Sequence, residues 1–168
     1  HFDFETIEGL KGFQDRIIYR HALNMNCVTE DFIRLHRYRK PEKIEFLHSM
    51  LESRLSLYEI TQTDKEEGFI WLRDVFTGAE HKITDIALSD ARGTADIYLY
   101  TRVITYRDVK FSSGFTLIFI KADGFIQKFI ELNRKDYKPE AELLRFSELY
   151  NHFTNDPEHY KIIVNELK

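Results

Sequence analysis

Leu55-Ser56-Leu57-Tyr58-Glu59-Ile60-Thr61-Gln62-Thr63, followed after a charged turn by Phe69-Ile70-Trp71-Leu72-Arg73-Asp74-Val75, decides the fold. Apolar and polar residues alternate with the period of a strand, and Asp64 to Gly68 is the length of a hairpin connection. Working toward the C-terminus, Thr77-Gly78 is the next turn and a strand is predicted over 80–86. A polar loop spans 90–94. The longest strand is predicted over Ile97–Tyr106, and Ser112-Ser113-Gly114 is expected to interrupt before a last strand over 115–121. About five strands, rich in aromatic and β-branched residues, make a central antiparallel sheet or small barrel.

On either side the period becomes helical. Leu10, Phe13, Ile17 and Ile18 fall on one face between Phe4 and Asn24, in a segment weakened by Gly9 and Gly12. A second helix is expected to start at Thr29 as N-cap, with Glu30 and Asp31 where the helix dipole favours acids. Pro41 stops it and opens a third, in which Ile44, Leu47, Met50 and Leu51 form a stripe. Asp123 caps a helix carrying Phe125, Phe129, Ile130 and Leu132. Pro139 opens another with Leu143, Leu144 and Leu149, and Asp156-Pro157-Glu158 starts a last one. The expected fold class is therefore α+β, with N-terminal helices (1–53), a β module (54–122) and C-terminal helices (123–168) sharing one core in a single domain over 1–168. The chain opens at His1, not at methionine, and reads as part of a longer protein.

Composition narrows the function classes. The 28 acidic and 24 basic residues, net −4, are mixed along the 168-residue chain, so no global field selects duplex DNA. Cys27 is the sole cysteine, which excludes an internal disulfide and a cysteine-rich zinc site and suits a reducing, cytoplasmic setting. The longest apolar run, Phe115 to Ile120, is far short of the ~20 residues of a membrane helix, so no membrane partner is expected.

Strand alternation nominates a face. Tyr98, Tyr100 and Arg102 share one side with Ile104 and Tyr106, and Phe69, Trp71 and Arg73 share one side of the hairpin. Aromatic rings interleaved with guanidinium groups suit single-stranded nucleic acid, because rings stack on bases and cations meet phosphate. The opposite side carries Ile70, Leu72, Leu99 and Val103, and strands apolar on both sides are usually covered on both sides. A basic run, Arg34, His36, Arg37, Arg39, Lys40 and Lys43, is the second candidate, for an anionic partner, against the plainer reading of a solvated helix end.

Catalytic and metal signals are sparse. Glu45 and His48 are spaced as in a carboxylate-bridged metal helix, and Glu148 and His152 share a helix face, yet neither pair has an evident third ligand. Asp74, Glu80, Asp85, Asp90 and Asp96 lie near turns, where turn chemistry accounts for them, although a metal-dependent hydrolase would draw its acids from such a set. The sequence contains no nucleophile elbow, phosphate-binding loop, His-Glu-x-x-His helix or dinucleotide fingerprint. No cofactor or resident metal is expected, and Cys27 reads as a core residue.

Leu57-Tyr58-Glu59-Ile60, then Gly68 with Leu72-Arg73-Asp74-Val75-Phe76-Thr77-Gly78-Ala79-Glu80, then Asp96, Leu99-Tyr100-Thr101-Arg102-Val103 and Ser113-Gly114 resemble the small β module of uncharacterised bacterial proteins that often carry a SEC-C motif. The resemblance spans about the middle two fifths of the chain. It implies a bacterial accessory protein with a barrel-like module flanked by helices. The zinc of the SEC-C tail does not transfer to a chain with one cysteine. The leading expectation is a non-enzymatic, cytoplasmic binding module with a protein partner. The alternatives are single-stranded nucleic-acid binding and the hydrolase.

Overall fold

The computed structural model describes residues 7–19, 26–36 and 40–155, and in it the alternating segments become five strands. These are β1 (Arg54–Asp64), β2 (Phe69–Asp74), β3 (Glu80–Thr84), β4 (Ile97–Tyr106) and β5 (Val109–Ile120). They close into a barrel in the order β1-β2-β3-β5-β4, which leaves no open edge. Helices α1 (Ile7–Tyr19), α2 (Val28–Leu35) and α3 (Pro41–Glu52) precede the strands. A short α4 (Ile86–Asp90) lies between β3 and β4, and α5 (Gly124–Lys135) and α6 (Glu142–Asn155) follow. The α+β class with helices at both ends is the one the sequence predicts. The helix expected from Asp156 lies outside the described residues.

By contact the chain divides into two compact units, His1–Arg54 with Arg102–Phe115, and Leu55–Thr101 with Thr116–Lys168. In the first, α2 starts one residue before the expected cap. Cys27 occupies the cap position and its amide donates to the Glu30 carboxylate at 3.2 Å. Thr29 is buried and its hydroxyl donates to the Ile18 carbonyl at 2.7 Å, a tertiary bond that outcompetes the local cap. The β4–β5 hairpin turns at Arg107, which takes a positive φ of 53°. Tyr106 then stacks edge-on against Phe46 of α3 at 5.2 Å.

The centre of this unit is an ion pair. Arg102 is fully buried and donates from Nε and Nη2 to the Asp15 carboxylate of α1, with Nη2 to Oδ2 at 2.9 Å. Its Nη1 donates to the Ser53 carbonyl at 2.8 Å, and the Ser113 hydroxyl donates to Asp15 at 3.1 Å. The Tyr19 ring lies 4.7 Å from the guanidinium carbon. Ser112-Ser113-Gly114 is accordingly no interruption. Strand β5 runs through it, with Gly114 at φ 88°.

In the second unit β1 pairs antiparallel with β2, and β2 with β3. Leu57, Ile70, Leu72, Ile83, Leu99 and Leu117 point inward and are essentially inaccessible. A bulge at Thr61 shifts the β1 register, so Glu59 faces Arg73 before it and Gln62 faces Trp71 after it. Strand β3 ends at Thr84, short of the expected Ile86, because Asp85 caps α4 by accepting the Leu88 amide at 3.0 Å. Asp74 builds the next turn: its carboxylate accepts the Phe76 and Thr77 amides, each at 2.8 Å, and Gly78 completes it at φ 75°. Asp123 caps α5 as predicted, accepting the Phe125 amide at 2.7 Å. Pro139 opens a 3₁₀ turn, Pro139–Ala141, which leads into α6.

Candidate binding face

The outward side of β2 and β3 brings three of the predicted residues together. Phe69 and Trp71 are half-buried and Arg73 is exposed, while Ile70 and Leu72 between them point into the core. Lys82 stands opposite Trp71 in the β2–β3 register. Its Nζ lies 3.8 Å from the Phe69 ring centroid and 5.0 Å from that of Trp71, a two-ring cation–π contact. Arg73 pairs with Glu59 on β1, and Glu59 also meets Lys121 at 3.5 Å. Lys121 in turn lies 5.3 Å from the Tyr98 ring of β4. The result is a band of half-exposed rings and cations bridged by one carboxylate.

The rest of the β4 face is not available in the same way. Tyr100 and Arg102 have no accessible surface, Ile104 has almost none, and Arg102 is committed to Asp15. The alternation nominated them for an open face, but they are buried. Of the basic run, Arg34 and Lys40 are exposed, and Arg34 is paired with Asp31 at 2.8 Å. Arg37 and Arg39 lie outside the described residues.

The turn carboxylates are engaged separately. Asp74 and Asp85 hold backbone amides, Asp90 pairs with Lys65, and Glu80 sits opposite Arg73. Among the described residues no group of three His, Cys, Asp or Glu side chains is arranged to hold a metal. Glu45 pairs instead with Arg107 at 2.9 Å, which holds its carboxyl below the usual range. Burial pushes the Cys27 thiol up, the opposite of what a reactive thiolate needs.

A concavity lies between α5 and α6, about 570 Å³ in volume and lined by Phe125, Phe129, Leu132, Lys128, Glu148 and His152 among others. Phe125 and Leu132 are exposed apolar side chains. At one end His152 stacks on Phe125 at 4.0 Å and meets the Asp123 carboxylate through Nε2 at 2.7 Å. Burial alone would raise the Asp123 carboxyl, but the hydrogen bonds from His152 and the Phe125 amide hold it below its ordinary value. Glu148 and His152 share this groove, as their spacing implies. Asp123, the residue that completes the pair, is 29 positions from His152 and has no sequence signal beyond its capping role.

Fold and face together define an α+β protein built on a closed five-stranded barrel, with an aromatic and cationic patch on its outer surface. The chain belongs to a family of unknown function, DUF7986, whose model matches residues 2–156. No curated protein and no solved structure matches it. Among the described residues, no helix is long and apolar enough to cross a membrane.

Proposed function

We propose that this chain is a non-enzymatic binding module that takes single-stranded nucleic acid across the outward face of β2 and β3. The observation that carries the reading is Phe69 and Trp71 side by side on the barrel exterior with the Lys82 ammonium over both rings. A base can replace the ammonium on a ring, and the displaced lysine then meets the phosphate. Each stacked base contributes ~1–3 kcal/mol. The strand order supports the same face by analogy of topology: five-stranded oligonucleotide- and oligosaccharide-binding barrels use strands 2 and 3 for their ligands. Arg73, Lys82 and Lys121 provide the cations, with Glu59 offsetting two of them. The resemblance to SEC-C-associated modules supports a bacterial source, and the lone Cys27 supports a reducing, cytoplasmic setting.

Trp71 is the sole tryptophan and reports on the face directly. Titration with short oligothymidylate and oligouridylate should quench its fluorescence, with the logarithm of the affinity falling linearly with the logarithm of salt concentration as for other single-strand binders. Lys82→Ala and Phe69→Ala should each weaken the response. No quenching at low salt removes this reading. A protein partner is the second reading, favoured by the exposed Phe125 and Leu132 in the α5–α6 groove. It predicts that Leu132→Asp abolishes capture of that partner and leaves Trp71 titrations unchanged. A capture that survives Leu132→Asp counts against it.

A further inference from the structure

Arg145 of α6 is 2% exposed, and no carboxylate pairs with it among the described residues. Nη1 donates to the Lys138 carbonyl at 2.9 Å, and the buried Nε has no acceptor. The guanidinium carbon lies beside two aromatic rings, 4.7 Å from the Tyr137 centroid and 5.5 Å from that of Phe76, and these rings stack on each other at 5.5 Å. A second guanidinium comes to the same turn: Arg134 donates from Nε and Nη2 to the Val75 carbonyl, at 3.1 and 2.9 Å. The basic end of α5 and the N-terminal turn of α6, whose dipole is positive, therefore meet here. Asp136, on the connection before α6, pairs with Lys138 at 2.9 Å.

A desolvated guanidinium normally carries an anion as well as hydrogen bonds, and a buried donor with no acceptor requires an explanation. Ring faces attract the cation but leave its N–H edge unsatisfied. With Nη1 occupied, Nε is the N–H left to meet a planar oxyanion. We propose that Arg145, beside the stacked Phe76 and Tyr137 rings, is the binding site for a ligand oxyanion, a carboxylate or a phosphate. Tyr137, half-buried on the connection between α5 and α6, is the more accessible wall.

The test is a titration of the wild-type protein, following the Arg145 Nε–Hε cross peak in a ¹H–¹⁵N spectrum assigned through bonds. Inorganic phosphate and acetate are added at ionic strength matched with sodium chloride. A saturable shift with phosphate alone identifies a phosphorylated ligand. A shift with acetate alone identifies a carboxylate, and a shift with both identifies a general oxyanion site. No shift, or a drift that never saturates and that chloride reproduces, overturns the proposal. Arg145→Lys keeps the charge and loses the planar edge. If folded, it should lose the anion-dependent rise in unfolding temperature that the wild type shows. The outcome is independent of Trp71 quenching, so this site and the β2–β3 face stand or fall separately.

Discussion

Removing the Asp15 carboxylate should be among the most damaging single changes in the first unit. Arg102 has no accessible surface and its side-chain partner is 2% exposed, so water cannot replace what is lost. Asp15→Ala deletes the acceptor for Nε and Nη2 together with that for Ser113, and leaves the guanidinium its bond to the Ser53 carbonyl and the Tyr19 ring. Breaking a buried pair from one side costs about 3–5 kcal/mol. For a chain of this length, at ~2–4 °C per kcal/mol, that is a fall of roughly 6–20 °C in unfolding temperature. Urea unfolding followed by circular dichroism gives the free energy, and scanning calorimetry gives the midpoint. The double substitution Asp15→Leu with Arg102→Met removes both charges together. It should recover most of the loss, because replacing both partners by apolar groups is often neutral. High salt should leave the wild-type pair untouched, since buried charges are poorly screened. A loss below about 1 kcal/mol for Asp15→Ala would be the cost of a solvated pair and would refute the burial argument.

Two further changes test the second unit. Asp123→Ala removes the α5 cap and the partner of His152, and should cost about 0.5–2 kcal/mol. Because the folded Asp123 carboxyl sits below its ordinary value, its contribution is complete above the ordinary carboxylate range. That contribution is lost as pH falls through the lowered folded value. Melting curves of wild type and Asp123→Asn should therefore converge on acidification, and a constant gap down to the lowest pH would contradict the assignment. Gly68→Ala places a Cβ at φ +71° and 3.1 Å from Ile86 Cγ1, and should destabilise by about 1 kcal/mol or more in urea unfolding. An unchanged midpoint would show that α4 yields freely at Ile86.

The sites show how far local pattern reaches. Phe69, Trp71 and Arg73 were legible because alternation in β2 is clean and one side is apolar. Lys82 was not, although it organises the rings, because its place opposite Trp71 depends on the β2–β3 register, which the turn at Asp74–Gly78 sets. Tyr100 and Arg102 show the converse: alternation nominated them, and what buries them was invisible. The Asp123–His152 pair and the Arg145 cluster with Phe76 and Tyr137 join residues from separate elements, and each member has a plain local reading as a cap, a helical residue or a loop aromatic.

By itself the sequence determined what short-range chemistry controls. Strand β4 was bounded at Ile97 and Tyr106, Asp123 fixed the start of α5, and Asp74 with Gly78 fixed a turn, because side-chain alternation, capping hydrogen bonds and backbone sterics act within a few residues. Tertiary structure decided the rest. Ser113 looked like a strand breaker until its hydroxyl met Asp15, 98 positions away, and Thr29 looked like a cap until Ile18 claimed it. Barrel closure, the covering of the β4 face and the burial of Arg102 follow from which distant groups desolvate one another. That free energy belongs to pairs of elements and leaves no period in a single segment.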